Sequence, residues 1–226
     1  MSRLAIFFLS VVTLGLAILL ALLGWATVKS NLLGWFLLGT GSTYFFGIII
    51  VYWIRKIRYW RSQAEGETVK EERNDWSFWA IVLGMISAFY LPPLEFLFFS
   101  AILPRNLRMQ GVGLLLLSLG SVLFIWARRT LGKYYSGHVS VLESQPLVQS
   151  GPYRFIRHPA YAGYLLIAMG IALGYSSLVG VIMIPVLLIP SVIYRLFVED
   201  KMLAERFGEK FKAYALRTAR LVPRIW

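Results

Sequence analysis

The feature that most constrains this chain is a series of uninterrupted apolar runs. Several reach or pass ~20 residues, the length that a helix needs to cross a lipid bilayer. Hydrophobic residues fill 58% of the 226 positions, above the ~45–50% that is usual in soluble domains. We therefore predict an all-α integral membrane protein, folded as a single membrane domain over residues 1–226.

The apolar runs predict about six transmembrane helices, at residues 4–28, 32–54, 76–103, 111–127, 160–175 and 178–198. Pro92 and Pro93 remove helical hydrogen bonds, so we expect the third span to be kinked or to be followed by a re-entrant piece. Only residues 174–177 separate the last two spans, which predicts a helical hairpin at the end of the bundle.

The tail over residues 199–226 has apolar side chains at helical spacing. Leu203, Phe207, Phe211 and Tyr214 fall on one face, and most charged residues fall elsewhere. This pattern predicts an amphipathic helix on the cytosolic side, lying on the membrane or folding back over a polar loop.

The distribution of basic residues predicts how the bundle is oriented. The net charge is +12, and the Lys and Arg residues gather beside the apolar runs. Orientation by cytosolic basic loops and attraction to anionic lipid explain this better than binding to nucleic acid. The loops after the second and fourth spans and the tail are the most basic, so we expect them and both termini to face the cytosol.

The residue types present exclude several kinds of chemistry. The chain has no cysteine, so disulfides, thiolate nucleophiles and thiolate metal ligands are excluded. Its two histidines are His138 and His158, and we expect no metal site built by the protein.

Arg195 and Glu199 are the polar residues most clearly placed for function by position alone. They stand four residues apart at the end of the sixth span, after a long run without charge. Such a pair is either a surface salt bridge or a ligand-binding group at the membrane boundary. Glu95, within the third span, is a further candidate on the same argument.

A longer pattern carries a family resemblance. Residues 151–163 read Gly-Pro-Tyr-Arg-x-x-Arg-His-Pro-x-Tyr-x-Gly, residues 195–200 read Arg-x-x-x-Glu-Asp, and residues 220–223 read Arg-Leu-Val-Pro. With its neighbouring Leu147–Val148 pair, the pattern closely resembles the isoprenylcysteine carboxyl methyltransferase family, within the wider group of membrane phospholipid methyltransferases. The resemblance covers about residues 132–223, so residues 128–226 would form the cofactor-binding core and residues 1–127 a variable part.

The resemblance implies S-adenosylmethionine as the methyl donor, in a cytosol-facing pocket. Arg195 would face the substrate, and Arg195 and Glu199 would be catalytic. Gln145 and Pro146 stand where many relatives have a His- or Gly-containing pair. The implied cofactor-binding residues are His138, Gln145, Pro146, Leu147, Val148, Tyr153, His158, Pro159, Ala160, Tyr161 and Glu199.

The implied chemistry leaves several acceptors and functions open. Methyl transfer from a sulfonium to a carboxylate neutralises opposite charges, which a water-poor site favours, and the acceptor would be a lipid or an isoprenylcysteine-like carboxylate. A phospholipid amine would instead need a base, for which His158 and Glu199 are the nearest candidates. The resemblance also extends to a wider superfamily with sterol reductases, which leaves open an NADPH-dependent enzyme of that kind. A non-enzymatic lipid-binding or transport protein that uses the basic loop for lipid headgroups is a further alternative.

Overall fold

The computed structural model describes residues 69–73, 76–99, 102–135, 139–142 and 145–223. The first two predicted spans and His138 lie outside the described residues. The described helices are α1 (Trp76–Phe98), α2 (Leu107–Leu131), α3 (Pro159–Gly174), α4 (Leu178–Met183), α5 (Ile189–Phe207) and α6 (Glu209–Ala215).

Three helical stretches in the described part of the chain are long and apolar enough to cross a membrane. They are α1, α2 and the continuous run Leu178–Phe207, while α3 is a shorter apolar helix. The chain is therefore an integral membrane protein with a helical bundle. The total of six spans and the hairpin made by the last two remain predictions.

A small antiparallel sheet lies at one end of the bundle. Its strands are β1 (Val69–Arg73) and β2 (Val139–Leu142), and they pair with an irregularity between Val69 and Glu71. The all-helical expectation therefore holds for the apolar part of the described chain but misses this sheet. Because β1 precedes α1 and β2 follows α2, the sheet lies at the same end as the loop that leads to α3.

Glycines allow α2 and α3 to pack at backbone contact. A Cβ atom added at Gly120 would lie 2.8 Å from the Gly163 carbonyl oxygen, and one at Gly170 would lie 2.5 Å from the Leu117 nitrogen. Small residues permit such approach between helices in lipid, where dispersion contacts replace the hydrophobic driving force. The closest helix pair in the described bundle is thus fixed by residues without side chains.

The prolines do not interrupt the helical stretches that contain them. Helix α1 continues through Pro92 and Pro93 to Phe98 and ends there, so the described residues show no re-entrant piece. Ile184–Leu188, which contains Pro185, is π-helical and joins α4 to α5. Because proline cannot donate a main-chain hydrogen bond, a locally wider turn accommodates it within a long helix.

Glu95 caps a neighbouring helix. Its carboxylate accepts hydrogen bonds from the Ser177 hydroxyl (2.5 Å) and from the main-chain nitrogens of Leu178 (3.2 Å) and Val179 (3.0 Å). These nitrogens open α4 and have no partner within their own helix. Glu95 thus fastens α1 to the turn before α4, a structural task that accounts for an acid at this depth.

The tail is divided into two helices, so the predicted single amphipathic helix over residues 199–226 is wrong in extent. Residues 199–207 continue α5, which ends at Gly208 with φ +53°. Helix α6 then turns back over the polar loop, with Phe211 and Tyr214 buried. The Tyr214 hydroxyl donates to the Tyr153 carbonyl oxygen at 2.7 Å, in agreement with the predicted return of the tail over the loop.

Candidate active site

The loop before α3 has a fixed shape because its residues restrict the backbone. Gly151 has φ +57° and starts a short 3₁₀ turn, Gly151–Arg154. A Cβ atom at Gly151 would lie 2.6 Å from the Thr130 hydroxyl oxygen, so the loop rests directly on α2. His158 precedes a proline, has a non-helical backbone (φ −125°, ψ 59°) and occupies the N-cap position of α3 without a side-chain capping bond.

Four predicted site residues meet between α3 and α5. The Tyr161 hydroxyl donates to Glu199. Arg195 Nε lies 2.9 Å from that hydroxyl oxygen and 3.3 Å from Glu199 Oε1. His158 Nδ1 lies 3.3 Å from Glu199 Oε2. Glu199 is therefore the centre of a quartet made of His158, Tyr161, Arg195 and Glu199.

His158 lies between two carboxylates. Its Nε2 atom is 2.8 Å from Asp200 Oδ1, and its Nδ1 atom faces Glu199. Burial lowers the pKa of His158, but the hydrogen bonds to Asp200 and Glu199 outweigh burial and hold the pKa above its ordinary value. A protonated imidazole donates through both nitrogens, which matches an acceptor on each side.

Asp200 is a residue of the site that was not predicted from the sequence. It is 8% exposed and also accepts from Arg220 Nε at 2.9 Å. Arg157 Nε lies 3.6 Å from its other oxygen. The available signal was the acidic pair at positions 199 and 200, whose side chains leave the helix in directions about 100° apart. Together these carboxylates hold His158 from opposite sides.

Tyrosines extend the site along α3. The Tyr135 and Tyr164 hydroxyls are 3.1 Å apart, and the ring centroids of Tyr161 and Tyr164 are 6.0 Å apart. Arg128 Cζ lies 5.2 Å from the centre of the Tyr135 ring. Tyr135, Tyr164 and Arg128 were not predicted from the sequence, although Tyr164 stands one helical turn after Tyr161.

The other predicted cofactor-binding residues that the structure describes lie in or beside the loop before α3. Tyr153 and Ala160 are buried in a cluster with Ala127, and Val148 packs against it. Pro159 is buried at the start of α3. The remaining three precede the loop in a stretch without regular secondary structure, where Pro146 is exposed and Gln145 and Leu147 are half-buried. Their contacts with a cofactor remain predictions.

The side chains of the quartet differ in their exposed fraction. The Arg195 side chain is 2% exposed and that of His158 is 4% exposed, whereas that of Glu199 is 21% exposed. A ligand that enters from the polar loop therefore meets the Glu199 carboxylate first. Within the ranges that the structure describes, no group of three or more His, Cys, Asp or Glu residues could hold a metal ion.

Comparisons with known proteins agree with this geometry. The family model described as phospholipid methyltransferase matches residues 109–210, which include α3, α5 and the quartet. The chain is 29% identical over 124 residues to the uncharacterized protein YpbQ of Bacillus subtilis (strain 168), covering 51% of this chain and 73% of that protein.

Two further comparisons name methyltransferases. Protein-S-isoprenylcysteine O-methyltransferase B of Arabidopsis thaliana is 28% identical over 131 residues, which cover 57% of this chain and 66% of that one. The solved structure of a eukaryotic intramembrane Ras methyltransferase, isoprenylcysteine carboxyl methyltransferase, aligns with a TM-score of 0.62 at 21% identity. That alignment covers 92% of this chain and 73% of the solved one, so the two share a fold.

Proposed function

We propose that this chain is a membrane methyltransferase similar to the isoprenylcysteine carboxyl methyltransferases, and that it methylates a carboxylate on a lipid or lipidated acceptor. The proposed methyl donor is S-adenosylmethionine. The observation that carries the proposal is the quartet, in which Arg195 and Glu199 are fixed by Tyr161 at the membrane boundary.

The donor fits the chemistry of these side chains. S-adenosylmethionine, when bound, supplies an activated methyl group on a positively charged sulfonium. A partly exposed carboxylate at the site entrance, that of Glu199, suits a cationic ligand. Glu199, His158, Tyr161 and the buried Tyr153 would hold the donor, and the half-buried Gln145 stretch would line its approach.

The pairing within the quartet supports an acceptor that arrives already deprotonated. An amine acceptor needs a group that takes its proton, and Glu199 and His158 are the candidates. Glu199, however, is bonded to Tyr161, Arg195 and His158, and His158 lies between two carboxylates. A carboxylate needs no base, and the planar fork of the Arg195 guanidinium suits it.

Aromatic residues beside Arg195 suit a lipid-tailed acceptor. Arg195 Cζ lies 5.9 Å from the centre of the Phe78 ring, which joins α1 to α5 at this level. The rings of Trp76 and Tyr194 approach to 4.9 Å, and Trp79 is 64% exposed. We infer that the apolar tail enters sideways between α1 and α5 while the donor enters from the polar loop.

The site is proposed to face the cytosol. In the described part, the end of the bundle that holds the site carries basic residues in every segment, among them Arg129, Arg154 and Arg217. The opposite end carries Arg105 and Arg108. This asymmetry follows the positive-inside rule. Labelling of a cysteine at the exposed Ser150 position from outside intact cells would contradict the orientation.

The function is tested with detergent-purified protein. Calorimetry with S-adenosylhomocysteine measures donor-site binding, and transfer of a radiolabelled methyl group is then measured with an N-acetylated farnesylcysteine and with phosphatidylethanolamine. We expect binding of the donor product and labelling of the farnesylcysteine as a base-labile ester. Base-stable labelling of phosphatidylethanolamine alone would overturn the carboxylate assignment, and binding of NADPH without S-adenosylhomocysteine would overturn the donor.

A further inference from the structure

The segment after α6 forms a strap across the loop that carries His158. The strap, residues 216–221, runs parallel to the loop, with a bridge between Ile156 and Ala219. The Arg157 nitrogen donates to the Ala219 carbonyl at 2.8 Å, and the His158 nitrogen donates to the Arg220 carbonyl at 3.1 Å. These main-chain bonds hold the strap in place without any side chain.

Arg220, on this strap, reaches behind His158 to α5. Its Nε atom is 2.9 Å from Asp200 Oδ2, and its guanidinium carbon lies 4.5 Å from the centre of the Phe197 ring. The second Asp200 oxygen receives His158 Nε2 at 2.8 Å. Arg220, Asp200 and His158 therefore form a chain of side-chain hydrogen bonds, which runs from the strap to the imidazole that faces Glu199.

We propose that Arg220 is a positioning residue that fixes Asp200, which in turn orients His158 so that Nδ1 faces Glu199. The proposal rests on the proposed function, because the orientation matters when Glu199 binds the methyl donor. Arg220 acts through the Asp200 carboxylate, in the way that outer partners fix histidines at other functional sites.

Arg157 cannot take over this task. It is the other cation beside Asp200, but its Nε atom is 3.6 Å away. Its NH1 group already donates to the carbonyls of Ala215 and Thr218. Loss of the Arg220 guanidinium would leave a buried carboxylate with one close donor fewer, and such a carboxylate moves toward other partners or water.

The main-chain bonds of the strap make the proposal separable from a purely structural role. Arg220→Gln removes the guanidinium but keeps the strap backbone, and Arg217→Gln is the matched control on the same segment. Arg217 is exposed, and its Nε atom donates locally to the Ala213 carbonyl. Both variants are compared with wild type for thermal unfolding, affinity for S-adenosylhomocysteine and the ¹⁵N signals of His158.

The NMR signals test the positioning step without any cofactor. In a His138→Gln background the remaining histidine is His158, so its ring signals are assigned at once. We expect Arg220→Gln to shift the Nε2 signal and Arg217→Gln to leave it unchanged. An unshifted Nε2 signal in Arg220→Gln would overturn the proposal, whatever the enzyme methylates.

Binding then tests the link to function. We expect Arg220→Gln to weaken S-adenosylhomocysteine binding by about tenfold, as for one lost hydrogen bond to a charged group, with Arg220→Lys recovering part of the loss. Adding Arg220→Gln to Asp200→Asn should weaken binding no further, because both residues act on His158 through the same chain of hydrogen bonds. Additive losses would overturn the proposal. A shifted Nε2 signal in Arg220→Gln, in a protein whose wild type does not bind S-adenosylhomocysteine, would instead retain the positioning step and reject the donor.

Discussion

The Tyr161 hydroxyl joins α3 to α5 by donating to Glu199 while it accepts from Arg195 Nε. The Tyr161 oxygen thus bridges Arg195 and Glu199, which form an i, i+4 pair with a direct contact of 3.3 Å. A surface pair at this spacing contributes only about 0.2–0.5 kcal/mol. The tyrosine makes it a fixed element of the site.

Tyr161→Phe should therefore separate the roles of ring and hydroxyl. The ring keeps its contact with Tyr164, so the unfolding temperature should stay close to that of wild type. Methyl transfer should fall by about tenfold or more, because a hydrogen bond to a charged group in a water-poor site is lost. Tyr90→Phe, in a core cluster of α1, α2 and α3 that contains no member of the quartet, is the control. Wild-type turnover in Tyr161→Phe would remove the hydroxyl from the mechanism.

Glu199→Gln should weaken cofactor binding. The substitution keeps the size of the side chain but removes the charge that would accept a hydrogen bond from the ammonium group of the cofactor, which S-adenosylhomocysteine also carries. We expect a loss of at least ~1.5 kcal/mol in the calorimetric affinity for S-adenosylhomocysteine. Glu205→Gln, further along α5 at an exposed position, should leave the affinity unchanged. Equal affinities in the two variants would return Glu199 to the role of a helix salt bridge.

Arg195→Lys should affect the acceptor rather than the donor. Lysine keeps the positive charge but loses the planar fork that binds a carboxylate through two bonds. We expect turnover to fall steeply while S-adenosylhomocysteine affinity stays near wild type. The opposite result, with collapsed cofactor affinity and intact transfer at saturating donor, would place Arg195 in the donor pocket.

The raised pKa of His158 predicts a pH-dependent stability. A group whose folded pKa lies above its unfolded value, about 6.5 for histidine, stabilises fully below that value. The contribution is lost as the pH rises through the folded pKa, where the contacts with Asp200 and Glu199 lose their charge-assisted character. Unfolding temperatures in detergent should therefore decline above about pH 6.5 in wild type. A His158→Gln variant with the same pH slope would show that another group titrates.

The glycine contact between α2 and α3 predicts opposite effects of one substitution at two positions of α2. Gly120→Ala places a methyl group against the Gly163 carbonyl, whereas a Cβ atom at Gly111 would have no neighbour within 4 Å. We expect Gly120→Ala to destabilise the protein by about 1–3 kcal/mol through overpacking. Gly111→Ala should stabilise it by up to about 1 kcal/mol. Denaturation in mild detergent measures both, and equal effects would contradict the close contact.

The members of the quartet were predicted on two different grounds. Arg195 and Glu199 carry a local signal, because they follow a long uncharged run, whereas His158 and Tyr161 were predicted through the family resemblance of the loop pattern that contains them. Their meeting needs only two neighbouring helices. The role of Asp200 could not be predicted in the same way, because it depends on Arg220, which returns to α5 only after the chain turns at Gly208 and passes through α6.

The other differences between the predicted and the observed structure also have specific physical causes. Strand β1 is a charged segment and β2 is the short segment Val-Ser-Val-Leu. They lie about 70 positions apart, so neither segment indicates its partner. The tail reads as one amphipathic helix because its apolar spacing continues across Gly208, where a positive φ ends α5. Glu95 was predicted as a functional acid because it caps a helix that is distant in the sequence, and such a contact has no characteristic spacing that would reveal it.

The contact between α2 and α3 also limits how a lipid can reach the site. Their backbones lie so close at Gly120 and Gly163 that even one methyl group would collide with a main-chain oxygen. An acyl or prenyl chain is wider than a methyl group, so it cannot pass between α2 and α3 at this level. Selection among membrane molecules by tail length or branching would then fall to the opposite side, where α1 and α5 present their aromatic residues.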